Sequence, residues 1–180
     1  SLAADTLRRL TLYRLRAAVT FAPSDLSVTR GLGPAPADAL PDPRHEALGW
    51  RAYRSLGDAP QIDWDAIRVA HVIPESGIEL IPDDSYLLEN GFERLNGVNF
   101  RKGCYVGQEV TARMKHKTEL RKGLTRVTID GQAPVGTDVL AADKVVGRLF
   151  TQSGTHALAH LRLDQAKGIM TAGSAQITLD

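Results

Sequence analysis

The sequence predicts an α+β protein, in which a front part mixing helices with short strands leads into a small antiparallel barrel or sandwich. Three observations carry this. Leu2, Leu7 and Leu10 recur at helical spacing among Arg8, Arg9 and Arg14 at the start. A second helical stretch follows the capping residue Asp63, with Trp64, Ile67 and Val72 on its inner face. From Lys122 onward the texture changes to short alternating runs separated by Gly, Asp, Ser and Thr clusters.

Taken in order, the first helix is expected from Ala3 to Tyr13. Strands are expected over 18–21, where Pro23 stops the run, and over 24–29. Residues 31–43, rich in Gly and Pro, read as a surface loop. An extended piece over 48–53 precedes the Asp63-capped helix, which runs to about His71. Residues 74–90 read as irregular and acidic. In the last third, strands are expected near Val127 and Ile129 before an Asp130-Gly131 turn, then over 139–141, 145–150, 156–161 and 175–179. The expected division is 1–120 and 121–180. The second segment is small enough that its core should lean on the rest of the chain.

Composition narrows the function. With 43% hydrophobic and 24% charged residues, the chain has the makeup of a folded domain and not of a disordered one. The net charge of +1 gives no general attraction to nucleic acid or to a membrane surface. No apolar run reaches the roughly 18 residues that a membrane-spanning helix needs, and no signal peptide opens the chain. A single cysteine allows no internal disulfide, which suits a reducing compartment. Ser1 stands where a methionine would begin a complete protein, and the chain enters a helix at once. A missing front part is therefore expected, the alternative being a tag remnant. Charge is uneven: residues 101–126 hold eight Lys and Arg against Glu109 and Glu119, whereas 58–93 hold nine acids against Arg68. The acidic stretch reads equally well as a solvated loop.

The chemistry concentrates in Lys102-Gly103-Cys104-Tyr105-Val106-Gly107-Gln108-Glu109. Two glycines bracket the cysteine and the aromatic, permitting positive φ and close approach of backbone to a ligand. Gln108 and Glu109 open a predicted helix. Its N-terminal dipole, with Lys102 and Arg101, would favour a thiolate or a bound anion. Gln offers a donor and an acceptor, and Glu offers two acceptor oxygens, a set able to read the edge of a flat heterocycle such as a pterin. The plain alternative is that Cys104 is an inert packing residue and the glycines serve only a turn.

This octapeptide resembles the signature of the YgfZ folate-binding proteins, relatives of the glycine-cleavage T-protein, whose mitochondrial members act late in iron–sulfur cluster assembly. All seven specified positions of Lys-Gly-Cys-Tyr-x-Gly-Gln-Glu match. Leu95-Asn96-Gly97-Val98-Asn99-Phe100 before it and Ala112-Arg113-Met114-Lys115 after it are similar to the family too. So are Asp42-Pro43-Arg44, Leu48-Gly49-Trp50-Arg51, Val146-Gly147 and the run from Ala157 to Arg162. Departures fall at Val72, at Leu87-Leu88-Glu89 and at Lys117-Thr118-Glu119, where the family commonly has Gly, Pro-Gln or Pro-His, and Arg-Gly. The resemblance implies interleaved α/β domains of the T-protein type around a central opening, followed by a small C-terminal antiparallel β-barrel. It implies that about the first third of the protein is absent here, with the missing segment as a separate chain if it travels apart.

It further implies binding of tetrahydrofolate or a derivative, with Lys102, Gly103, Tyr105, Gly107, Gln108, Glu109 and Arg113 as binding residues and Cys104 as the chemically active one. The expected partners are folate and iron–sulfur client or assembly proteins. The expected compartment is the cytoplasm, or the mitochondrial matrix in a eukaryote. The alternative function is a folate-dependent aminomethyl- or methyl-transferase of the T-protein type. One-carbon transfer to folate calls for positioning and a carboxylate, not a thiol, so the motif favours the assembly role. No turnover reaction is implied.

Other chemistries fare worse. Cys104 cannot hold a cluster alone, since stable clusters take about four ligands. No metal site is expected, because His45, His71, His116, His156 and His160 show no metal-ligand spacing with the cysteine. His156 and His160 read as surface residues. A Cys–His hydrolase would need a histidine such as His116 brought beside Cys104. No phosphate-binding glycine pattern occurs. Arg113, Lys115, Lys117, Arg121 and Lys122 suit RNA phosphates or a polyglutamate tail, but without interleaved aromatics RNA is the weaker expectation.

Overall fold

A computed structural model describes residues 2–54, 61–105, 107–117 and 120–180. Helix α1 spans Ala3–Tyr13 as its leucine spacing predicts, but it buries no residue. Its N-cap, Leu2, supplies no side-chain bond. The strand expected over 18–21 does not form. Arg14 donates to the Val19 carbonyl at 3.1 Å and the Val19 amide to the Ala17 carbonyl at 2.8 Å, so backbone groups that a sheet would use are taken locally. The next strand sits later than predicted, as β1 (Ser27–Gly31). It belongs to a three-stranded antiparallel sheet of order β1-β3-β2, with β2 at Leu40–Pro41 inside the predicted loop and β3 at Trp50–Arg54. The extended piece predicted from residue 48 starts instead as a 3₁₀ turn, Glu46–Leu48, closed by Gly49 at φ 62°.

Helix α2 (Trp64–His71) begins where Asp63 accepts a bond from the Ala66 amide at 2.9 Å. It ends on Val72 in the left-handed conformation at φ 52°. One side packs Trp64 and Ile67 on Leu48, Ile73 and Leu95. Its other side puts Val69 against Phe150 and Leu158 of the last third, with Val72, Ile78 and Leu124 around them.

The last third closes into a six-stranded antiparallel barrel of order β4-β7-β6-β5-β8-β9. The strands are β4 (Lys122–Asp130), β5 (Asp138–Ala141), β6 (Lys144–Ser153), β7 (His156–Arg162), β8 (Met170–Ala172) and β9 (Ala175–Leu179). Val127, Ile129, Val139, Leu149, Leu161, Met170 and Ile177 fill its interior. Strand β8 escaped the sequence reading because three residues, Met-Thr-Ala, are too short to show a period. Gly147 lets β6 and β7 close: a Cβ there would lie 2.2 Å from the His160 carbonyl oxygen and 2.9 Å from the Leu161 Cα. The elements ahead of the barrel do not by themselves make the interleaved pair of domains that the resemblance implies. Among the described residues, no helix is long and apolar enough to cross a membrane.

The stretch 74–90 is irregular, as predicted, but it is not simply a solvated loop. The Glu79 carboxylate is fully buried and receives Arg68 Nη1 at 2.7 Å, the Thr151 hydroxyl at 2.5 Å and the Glu75 amide at 2.8 Å. Arg68, itself buried, also donates to Thr151 Oγ1 at 2.7 Å. Burial opposes the Arg68 charge, but the Glu79 hydrogen bond and charge, with Asp65, outweigh it and raise the pKa above the usual arginine value. This cluster pins α2 and the irregular stretch to β6.

Candidate functional site

The chain approaches the octapeptide through a turn in which Asn99 Oδ1 accepts the Arg101 amide at 2.8 Å. Lys102 then lays its ammonium over the Tyr105 ring, 4.8 Å from the centroid. Cys104 lies between them as an exposed, free thiol. Gly107 takes φ 87°, which only glycine adopts at low cost, and directs the chain into helix α3 (Gln108–Lys117). Gly103 has no positive φ, and a Cβ there would meet nothing within 4 Å. The expectation that both glycines serve the backbone conformation therefore holds for Gly107 and not for Gly103. Val106 lies outside the described residues.

The first turn of α3 is tied back to the turn before it. Gln108 Oε1 accepts the Tyr105 amide at 3.1 Å, and the Gln108 amide donates to the Tyr105 carbonyl at 3.3 Å. Glu109 is paired with Arg113 one helical turn on, at 2.5 Å. The two side chains expected to read a heterocycle edge are thus partly engaged inside the motif. The side-chain nitrogen Nε2 of Gln108 remains as a donor and the second Glu109 oxygen as an acceptor. With Ala112, Arg113 and His116 they line a shallow groove of about 400 Å³. Both members of the Glu109–Arg113 pair are exposed, so the pair adds little stability and can open to a ligand.

Helix α3 is lightly held. Lys115 Nζ bonds both carboxylate oxygens of Glu93, at 2.8 and 2.7 Å, and lies over the Phe100 ring. Phe100 meets His116 edge-on with centroids 6.3 Å apart. These contacts set His116 against Phe100 and the groove. Among the described residues, no group of three or more His, Cys, Asp or Glu side chains is arranged to hold a metal ion. The structure thus presents a thiol at the motif's turn and a shallow groove, apolar over most of its lining, on the helix that follows.

Two arrangements escaped the sequence reading. One is the buried Arg68–Glu79–Thr151 cluster; its members are 11 and 72 residues apart, beyond any local signal. The other concerns His160, expected as a surface residue. It is half-buried, with Nε2 3.0 Å from Glu89 Oε2. His156 is half-buried also.

Comparison with known proteins adds to this geometry. Residues 121–180 match the CAF17 C-terminal beta-barrel domain. The six-stranded barrel of the last third is thus similar to that domain. Beyond the barrel, the chain is similar to the mitochondrial iron–sulfur cluster assembly factor IBA57 of Mus musculus. The two are 31% identical over 89% of this chain and 54% of that protein. The human protein of the same name is also 31% identical, over 96% of this chain and 58% of its own length. A homologue from Neurospora crassa is 37% identical over 54% of this chain. The chain spans about half the length of the mouse and human proteins it matches, and the similarity extends well ahead of the barrel.

Proposed function

We propose that this chain works in a tetrahydrofolate-binding factor that assists iron–sulfur cluster assembly or repair in client enzymes, and that Cys104 is its working group. The observation that carries this is the exposure of the one cysteine at the glycine-bracketed turn, in a chain whose relatives are named iron–sulfur assembly factors. A buried thiol would have fitted a packing role. An exposed one can ligate, be alkylated or be oxidised. A single thiol holds no cluster, so Cys104 supplies one ligand or one redox group and a partner supplies the rest. The relatives' names place them in the mitochondrion, in line with a mitochondrial compartment if the source is eukaryotic.

Folate enters through the groove on α3. Its lining offers an amide donor, a carboxylate acceptor and a guanidinium, a set that suits a pterin edge or a carboxylate tail. No observation at the site favours the transferase alternative, whose chemistry would leave the exposed thiol of Cys104 without a task. Calorimetric titration with tetrahydrofolate tests the folate part. Binding in the micromolar range or weaker is expected, reduced about tenfold in Gln108→Ala/Arg113→Ala. Unchanged binding by that double variant would remove the α3 groove from the reading.

A further inference from the structure

The geometry points to a second ligand site, for a small dianion bearing two carboxylates or a phosphate, in the cleft between residues 79–89 and the outer face of β4, β7 and β6. The cleft has a volume of about 470 Å³, within the range of small-molecule sites, and none of the octapeptide's residues lines it. Phe150 and Val146, both nearly inaccessible, form part of its floor, and Tyr86 stands at its wall.

The strand register carries the argument. Lys122 of β4 and Arg162 of β7 are direct cross-strand partners, and both line the cleft. Like charges set directly opposite in a ladder destabilise it. A neighbouring carboxylate would relieve the repulsion, but neither residue forms an ion pair among the described residues, and both are exposed. One register step away, Arg148 of β6 is opposite His160 of β7. Both have partners: Arg148 lies 3.6 Å from Asp138, and His160, a cation only when protonated, lies 3.0 Å from Glu89. Glu79 is answered by Arg68 at 2.7 Å. What remains is two opposed cations at the edge of a partly apolar cleft, with the exposed Asp84 and the histidine-bonded Glu89 as the carboxylates not held by an arginine. A dianion seated between Lys122 and Arg162 would remove the repulsion, which is why the pair fits a ligand site better than a structural one. Asp84 and Glu89 oppose such a ligand and limit its affinity.

Isothermal titration of the 180-residue protein with inorganic phosphate and with succinate, at low salt and with chloride as control, tests this. One of the two probes should bind with saturation. Preference for phosphate would assign a phosphate ester, and preference for succinate a dicarboxylate. Lys122→Gln/Arg162→Gln should weaken binding about tenfold or more while raising the melting temperature of the unliganded protein, because the repulsion goes with the charges. Asp84→Asn should strengthen binding, and Cys104→Ser should leave it unchanged. Absence of saturation with both probes, an equal response to chloride, or a double variant that binds like the native protein would overturn the assignment. So would a double variant that melts lower, which would make the pair structural.

Discussion

At the scale of single residues, the three glycines that matter do different work. Gly147 is required by space. Its Cβ would strike backbone of the neighbouring strand, which cannot rotate away as a side chain can. Gly147→Ala should cost about 1–3 kcal/mol or more by overpacking, read from urea denaturation. Gly107 is required by its φ of 87°, with nothing within 4 Å of a Cβ, so Gly107→Ala should cost about 1–2 kcal/mol. Gly103 is constrained by neither, and Gly103→Ala should leave the denaturation midpoint unchanged. If that variant nonetheless fails in cells, the glycine is there to let a ligand approach. The bracketed cysteine was legible because glycines, an aromatic and a lone thiol stand next to one another in sequence. The engagement of Gln108 with Tyr105 and of Glu109 with Arg113 was not, because it depends on where the helix starts and which rotamers its first turn selects.

At the scale of elements, α2 is the joint of the structure, and electrostatics hold it as much as packing does. Glu79→Ala would leave the buried Arg68 guanidinium with Asp65 as its one paired carboxylate, and a cost of about 3–5 kcal/mol is expected in equilibrium unfolding. Glu79→Gln, which keeps one acceptor oxygen for Arg68 and turns its NH2 toward Thr151, should cost less. The C-terminal end of α2 adds a pH dependence. The His71 and His45 rings meet at a tilt of 39° with centroids 4.4 Å apart. Burial, then His45 and Arg94, lower the pKa of His71, with Arg126 adding to them and Glu46 opposing. Protonation is therefore harder in the fold than in the unfolded chain. The stabilising contribution is complete above the ordinary histidine value near 6.5 and is lost as pH falls through the lowered folded value. Melting temperature should decline from pH 7 toward pH 5, and less so in His71→Gln. Carboxylates tell in a lower window: Arg44 holds Asp42, and Arg126 with Thr128 holds Asp180, below the usual range despite burial. Their contribution is lost only as pH falls below about 4. Of these elements, the Asp63 cap and the α2 period were plain in the sequence. The strand over 18–21 was over-read, because β-prone residues make a strand only when a partner strand is there to receive them.

At the scale of the molecule, order is graded from the barrel outward. The barrel has a closed hydrogen-bonded ladder and a filled interior, whereas α1 is an 11-residue helix with no buried residue and Leu10, Leu12 and Tyr13 exposed. A helix that short is marginal without packing. Hydrogen exchange on the 180-residue chain should therefore find the barrel strands slowest and α1 fastest by orders of magnitude. The barrel was legible because alternation with a period of two survives in short strands. The link from α2 to the barrel was not, since Val69, Phe150 and Leu158 are brought together only by the fold. Against this scaffold, Cys104 stands out as a thiol with no structural task, and the account's central claim is that its task lies outside the chain. The direct measurement is iron–sulfur enzyme activity in cells whose own copy of the gene carries Cys104→Ser, with the level of the variant protein measured alongside. The account predicts that activity falls to that of a deletion while the variant accumulates to native abundance. Full activity at native abundance would contradict it, and would leave Cys104 an incidental surface residue.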